Sequence, residues 1–207
     1  EVYDGVHLPE QPCSHSGLIS LRLERVDNAP GTDSGVWLEL PADEQAMRLA
    51  LASLGESTFD TCVIAEAESI LPSLKYQIAG DEDISRLNTL AGRIQAFPDR
   101  RTLVKYKAVL ELEVCNDLDM QLDIAENLDC YDYDPIILSP EAYAEYVLKE
   151  ADFDVNDPAF SGFDFKGYGE RCLQGNGFVT TPYGSIARNE KPFVPEHTRP
   201  TPGMTMQ

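Results

Sequence analysis

The sequence predicts an α+β protein of three small domains: an N-terminal α+β domain, a central helical hairpin and an acidic C-terminal α/β unit. Three observations carry this prediction. Segments of period-two alternation are interspersed with segments in which apolar residues recur at helical spacing. Glycine and proline punctuate the chain where one period gives way to the other. With 43% hydrophobic and 9% aromatic residues, a chain of 207 can bury real cores.

Residues 1–16 (EVYDGVHLPEQPCSHS) are polar and turn-rich, and form an N-terminal extension. LISLRLERV, Leu18 to Val26, alternates apolar with polar residues and predicts a half-buried strand. After the turn-rich DNAPGTDSG, VWLELP from Val36 to Pro41 predicts a second strand. ADEQAMRLALASLG then places Ala46, Met47, Ala50, Leu51 and Leu54 on one helical face, with Gly55 as the stop. TFDTCVIA, Thr58 to Ala65, has the β-branched content of another strand and completes a domain over 17–80. Ile84, Leu87, Leu90, Ala91, Ile94 and Phe97 predict an amphipathic helix with Asp83 as its N-cap and Pro98 as its end. Leu103, Tyr106 and Leu110 continue in a second helix, which makes 81–112 a helical hairpin.

The last domain spans 113–190. It contains a strand-like PIIL, Pro135 to Leu138, and a helix announced by Ser139 as N-cap and Pro140 at the first position. That helix is expected to bury Tyr143, Tyr146 and Val147, while Phe163, Phe165, Tyr168 and Leu173 mark a further apolar face. GFVTTPYGSI closes the globular part. The segment 191–207, with four prolines and little periodicity, is expected to be a mobile tail.

Charge narrows the function. With 36 Asp and Glu against 16 Lys and Arg, the net charge of −20 repels nucleic acid, so the natural partner is a basic surface. The charge is regional: residues 111–164 hold 16 acids and one base. A salt-adapted surface would be acidic throughout, and a disordered acidic chain would lack the interleaved Leu, Ile, Tyr and Val. No apolar run reaches the ~20 residues needed to cross a bilayer. Five scattered cysteines form neither a CxxC pair nor a disulfide framework, and suit free thiols in a reducing cytoplasm.

Enzyme motifs are absent. His7, His15 and His197 lie in terminal segments, and no HExxH, GxSxG, P-loop or dinucleotide fingerprint is present. The calcium-like start D-F-D-V-N at Asp152–Asn156 has Asp157 where the turn demands glycine and Phe163 where the bidentate glutamate belongs. The expectation is therefore no catalysis, no cofactor and no specific metal, with a divalent-metal-binding acidic module as an alternative.

What remains is an acidic surface resembling a polyanion. Glu141 and Glu145, four residues apart on a helix, lie about 6 Å apart along its axis, near the phosphate spacing of a nucleic-acid strand. The order GVWLELP, DISRLNTLAGRIQAFPD, DIAENLDCYDYDP, SPEAYAEYVLKE, FDFKGYGER and NGFVTTPYGSI resembles the ArdA-type antirestriction proteins, over about Gly17 to Glu190. The resemblance implies a cytoplasmic protein in a bacterial host, encoded by a plasmid, transposon or phage and shaped as an elongated, curved rod. It also implies a homodimer joined through its C-terminal domains, which mimics bent B-form DNA and occupies the DNA groove of type I restriction-modification enzymes at their methyltransferase core. It is expected to contact neither nucleic acid nor membrane. The alternative in the same class is an inhibitor of another DNA-binding defence protein, such as a CRISPR effector.

On this reading the phosphate surrogates are Asp117, Asp119, Asp123, Glu126, Asp129, Asp132, Asp134, Glu141, Glu145, Glu150, Asp152, Asp154, Asp157 and Asp164, extended by Glu39, Asp43 and Glu44. Phe163, Phe165 and Tyr168 are the candidate dimer contact, if they do not simply fill their own core. One segment departs from the family pattern: 83–107 carries Arg86, Arg93, Arg100, Arg101, Lys105 and Lys107 against Asp83 and Asp99. Either those bases turn from the acidic face and pair with neighbouring carboxylates, or the target differs from the usual restriction enzyme.

Overall fold

The structure, a computed structural model, describes residues 2–3, 6–7, 17–27, 35–71, 81–115 and 117–198. In chain order its main elements are β1 (Val2–Tyr3), β2 (Val6–His7), β3 (Ile19–Arg25), β4 (Val36–Leu40), α1 (Glu44–Leu54), β5 (Cys62–Ser69), α2 (Asp81–Gln95), α3 (Arg100–Leu112), α4 (Leu118–Glu126), β6 (Tyr131–Asp134), α5 (Pro140–Glu150), α6 (Phe165–Gly175), β7 (Val179–Thr181) and β8 (Gly184–Arg188). The fold is α+β, with helices set against small antiparallel sheets. Among the described residues, no helix is long and apolar enough to cross a membrane.

Two compact units emerge, each assembled from separated stretches. One takes the described residues of Gln11–Pro98, Asn116–Glu126 and Pro195–Gln207; the other takes those of Glu1–Glu10, Asp99–Cys115 and Asn127–Val194. Helices α2 and α3, consecutive in sequence, belong to different units.

In the first unit β3 runs antiparallel between β4 and β5. Ile19, Leu21 and Leu23 alternate along it at zero exposure, as period-two patterning requires, while Arg22 on the opposite face pairs with Glu24 and Glu66. Helix α1 starts on Asp43, whose carboxylate accepts from the Ala46 amide at 2.8 Å, and ends on Gly55 at φ 73°, a left-handed conformation glycine adopts without strain. The β5 strand begins only at Cys62, because Phe59–Thr61 forms a 3-10 turn.

That turn also sets the start of α2. The Asp60 carboxylate accepts from the Asp81 amide at 3.1 Å, and Asp81 accepts from the Phe59 amide at 2.7 Å. Asp83, expected as the cap, lies inside the first turn instead, because the Asp60 carboxylate satisfies the helix's first amide two residues earlier, at Asp81. Ile84, Leu87, Leu90, Ala91 and Ile94 are buried as the spacing predicts, whereas Phe97, expected on the same face, lies past the helix end and is half-buried. Helix α4 packs against α2.

In the second unit β8 is central in the order β6-β8-β7, with both neighbours antiparallel. Helix α3 packs on this sheet and buries Val104, Tyr106, Ala108, Val109 and Leu110. Its N-cap is Asp99, whose carboxylate accepts from the Thr102 amide at 2.7 Å. PIIL is not a strand. The strand is YDYD just before it, with Tyr131 buried and Asp132 exposed, whereas Ile136 is exposed and Ile137 is buried beneath a hydrogen bond from Ser185 Oγ to its carbonyl. Ser139 caps α5 by accepting from the Ala142 amide, with Pro140 at the first position. The buried face of α5 is Ala144 and Leu148; Tyr146 is exposed and stacks on Tyr143 at 6.3 Å, and Tyr143 and Val147 are half-buried. Gly169 on α6 permits the close approach of α5, since a Cβ there would fall 1.8 Å from the Pro140 carbonyl oxygen.

Helix α3 ends in a turn that a β-branched residue fits poorly. Val114 stands at φ 49° while the Cys115 amide donates back to the Leu110 carbonyl at 3.0 Å, the left-handed helix stop that glycine usually fills. Its side chain is 84% exposed, so truncation removes little packing. Val114→Gly is expected to stabilise the protein by about 0.5–1 kcal/mol, after allowing for the extra freedom of glycine in the unfolded chain. Thermal unfolding should show a rise of about 2–4 °C.

The tail expectation is overturned for 191–198. Asn127 holds Val194 through two 3.0 Å hydrogen bonds, one from its Nδ2 to the Val194 carbonyl and one from the Val194 amide to its Oδ1. Residues 196–198 are tied to Asp123. The rest of the expected tail, 199–207, lies outside the described residues.

Candidate functional site

The acidic run from Asp117 to Pro135 resolves into parts with different duties. Helix α4 opens on Asp117, which is exposed and accepts from the Met120 amide at 3.0 Å. Along α4, Asp119 and Glu126 are seven residues apart, as are Arg86 and Arg93 on α2. Seven residues rise about 10.5 Å on either helix, so one register allows both ion pairs, Arg86 with Asp119 and Arg93 with Glu126, the latter at 2.8 Å. The pairs occur in the same order along both helices, so α2 and α4 run in the same direction. Two of the six bases of 83–107 are thus paired with acidic neighbours.

Asp123 is not a surface charge. It is fully buried on α4, where its Oδ1 accepts from the Glu196 and His197 amides at 2.7 and 2.8 Å and its Oδ2 from the Thr198 amide at 2.9 Å and the Thr198 hydroxyl. Burial pushes this carboxyl up, but the hydroxyl and the three amides outweigh it and hold the group below the usual carboxylate range. Asp123 is therefore removed from the phosphate surrogates: its charge is consumed in anchoring residues 196–198. Glu126 likewise faces His197, at 3.5 Å.

Glu39, Asp43 and Glu44 belong to the same unit and are exposed; Asp43 caps α1 and Glu44 pairs with Arg48 at 2.9 Å.

The remaining candidates belong to the β6-β8-β7 unit. Asp129 is exposed and pairs with Lys191 at 3.3 Å, and Asp132 is exposed on β6 and accepts from Asn189 Nδ2 at 3.1 Å. Asp134 is half-buried and closes the turn after β6 by accepting from the Ile136 amide at 2.9 Å. Of the α3 bases, Lys105 lies near Asp132 and Asp129: burial pulls its ammonium down while these acids push it up. Arg101 stands 5.9 Å over the Tyr133 ring, and Lys107 is buried 5.7 Å over the Tyr183 ring.

From Glu141 to Asp164 the acids face solvent. Glu141, Glu145, Glu150, Asp152, Asp154, Asp157 and Asp164 are all exposed, and the single base between them, Lys149, pairs with Glu145 at 3.1 Å. Asp154, Asp157 and Asp164 each accept from a backbone amide two or three residues onward, of Asn156, Ala159 and Gly167 respectively, at 2.8–3.0 Å. These contacts fix three carboxylates in orientation. Asp152 closes α5 at φ 63°.

Phe163, Phe165 and Tyr168 lie within one ring cluster of this unit, with Phe163–Phe165 at 4.9 Å and Phe163–Tyr168 at 5.5 Å. The reading from sequence missed two members, Phe153 and Phe160, which contact each other at 6.2 Å; Phe160 also meets Phe163 at 5.4 Å. The signal was present in the alternation D-F-D at Asp152–Asp154 and F-D-F at Phe163–Phe165. Among the described residues no group of three or more His, Cys, Asp or Glu side chains is arranged to hold a metal ion.

Comparison with protein-family models finds no match to this chain, and comparison with curated proteins finds none either.

Proposed function

We propose that the protein is a non-enzymatic antirestriction inhibitor that mimics DNA, occupying the DNA-binding groove of a type I restriction-modification enzyme at its methyltransferase core. The observation carrying this reading is the solvent-facing run of carboxylates from Glu141 to Asp164, with Lys149 as its one base. Duplex DNA presents one negative charge per ~1.7 Å of axis, and a cleft built for it attracts any rigid anionic array. Several of these carboxylates are held by backbone amides, which lowers the entropy lost on binding. The pairing of Arg86 and Arg93 with α4 favours the first of the two explanations for the basic segment, in which bases are satisfied locally. The proposal extends to a homodimer in a bacterial cytoplasm, as the resemblance to ArdA-type proteins implies.

The test is displacement of labelled duplex DNA from a type I methyltransferase core. The protein should displace it, less effectively as salt rises. A sixfold variant, Asp129→Asn, Asp132→Asn, Glu141→Gln, Glu145→Gln, Glu150→Gln and Asp152→Asn, should lose roughly a hundred-fold in affinity, at about 0.5 kcal/mol for each exposed charge. Each single change should cost less than about threefold. Equal displacement by the sixfold variant would overturn the assignment.

A further inference from the structure

The structure assigns a second element to this surface: an aromatic pad in which rings and carboxylates alternate, standing in for unstacked nucleobases and their phosphates. Its partner is a cationic protein groove that accepts extrahelical or single-stranded bases. The inference rests on the DNA-mimic reading for the identity of the partner, and on the pad alone for its chemistry.

Phe153 is 54% exposed and Phe163 is 38% exposed, yet both contact Phe160, so the outer rings belong to one patch supported from beneath by a half-buried ring. Large apolar side chains gathered in one exposed patch mark a contact surface rather than a solvated one. Every chain neighbour of these rings that carries charge is an exposed carboxylate: Asp152 and Asp154 beside Phe153, Asp164 beside Phe163. No lysine or arginine occurs between Lys149 and Lys166. A basic surface covers such a patch with complementary charge, whereas the same patch on a second copy would oppose like charges, which disfavours a two-fold contact at Phe163 and leaves a homodimer to be joined elsewhere.

Local energetics point the same way. Glu150, Asp152 and Asp154 gather at the C-terminal end of α5, the end whose partial charge is negative and prefers cations. Asp152 also takes the left-handed conformation, at φ 63°, where glycine would be less strained; there the Phe153 amide donates to the Leu148 carbonyl at 3.0 Å. Glu150 and Asp152 oppose the dipole of the helix they terminate, which Lys149 in its last turn offsets only in part, and departures of this kind collect at functional sites. Proteins that hold unpaired bases combine a positive track with aromatic or guanidinium faces on which bases stack, and those that flip a base enclose it between apolar walls. A phenyl ring flanked by carboxylates offers both features to such a groove.

Two probes test this with the full-length chain: a type I methyltransferase core on a duplex with 2-aminopurine at the target adenine, and a single-strand-binding protein on labelled oligothymidylate. The double variant Phe153→Leu/Phe163→Leu keeps apolar bulk and removes the aromatic face. It should displace at least about tenfold more weakly than wild type from one probe or both, with an unchanged salt slope; Phe153→Trp/Phe163→Trp should restore displacement, and Tyr146→Ser, outside the cluster, should have no effect. Circular dichroism confirms that each variant is folded. Ring-dependent displacement from the single-strand probe alone would sink the antirestriction reading and keep the pad. Displacement from the methyltransferase without ring dependence would keep that reading and overturn the pad. Indifference of both probes to the rings, or displacement of neither, also overturns it.

Discussion

Gly169→Ala is expected to destabilise the β6-β8-β7 unit by about 3 kcal/mol or more, the upper range for overpacking. The new Cβ would lie 1.8 Å from the Pro140 carbonyl oxygen and 2.5 Å from its carbon, and both are backbone atoms that cannot swing aside. Relief requires α5 and α6 to separate, which loosens the packing around Ala144, Leu148 and Leu173. Gly175 is the internal control. It lies on the same helix with nothing within 4 Å of its would-be Cβ, so Gly175→Ala should fall within about half a kcal/mol of wild type. Urea unfolding followed by circular dichroism, with hydrogen exchange across both helices, separates the two. An unchanged midpoint for Gly169→Ala would mean that the helices do not approach as closely as described.

Asp123→Ala is expected to cost about 3 kcal/mol, because it strands three backbone amides and a hydroxyl that now share one carboxylate. Amide protection at His197 and Thr198 should disappear with it. The pH dependence has a definite sign. The folded carboxyl is held below its unfolded value of about 3.9, so its contribution is complete above that value and is lost as pH falls through the folded pKa. The stability gap between wild type and Asp123→Ala should therefore be flat from pH 7 to about pH 5 and should narrow below about pH 4. A gap that persists undiminished at pH 2 would show that the carboxylate charge is not what holds the segment.

Signals carried within a few residues were legible in the sequence. Alternation placed β3 and β4, Gly55 stopped α1, and Ser139 with Pro140 began α5, since caps and periodicity are written locally. Contacts across long chain separations were not. The start of α2 depends on Asp60, 21 residues before Asp81, so no local signal marks Asp81 and the spacing points to Asp83 instead. YDYD sits within a charge run that masks its strand-like alternation of tyrosines and aspartates, and its aromatic face is apparent only with β8 alongside. Tyr146 obeys helical spacing yet faces outward, because α6 meets α5 on the Ala144 and Leu148 side. Asp123 shows the same limit for the candidate site. One acid among seven is an anchor rather than a display, and its donors lie more than seventy residues further along.

The clasp on Asp123 also imposes an order on folding during synthesis. A ribosome releases α4 long before it makes residues 196–198, so this carboxylate remains hydrated in the nascent chain and the unit around β3 stays open on that side. Closure waits for the last described residues to emerge, and a chain arrested upstream of them carries a hydrated acid where the finished protein has an interior.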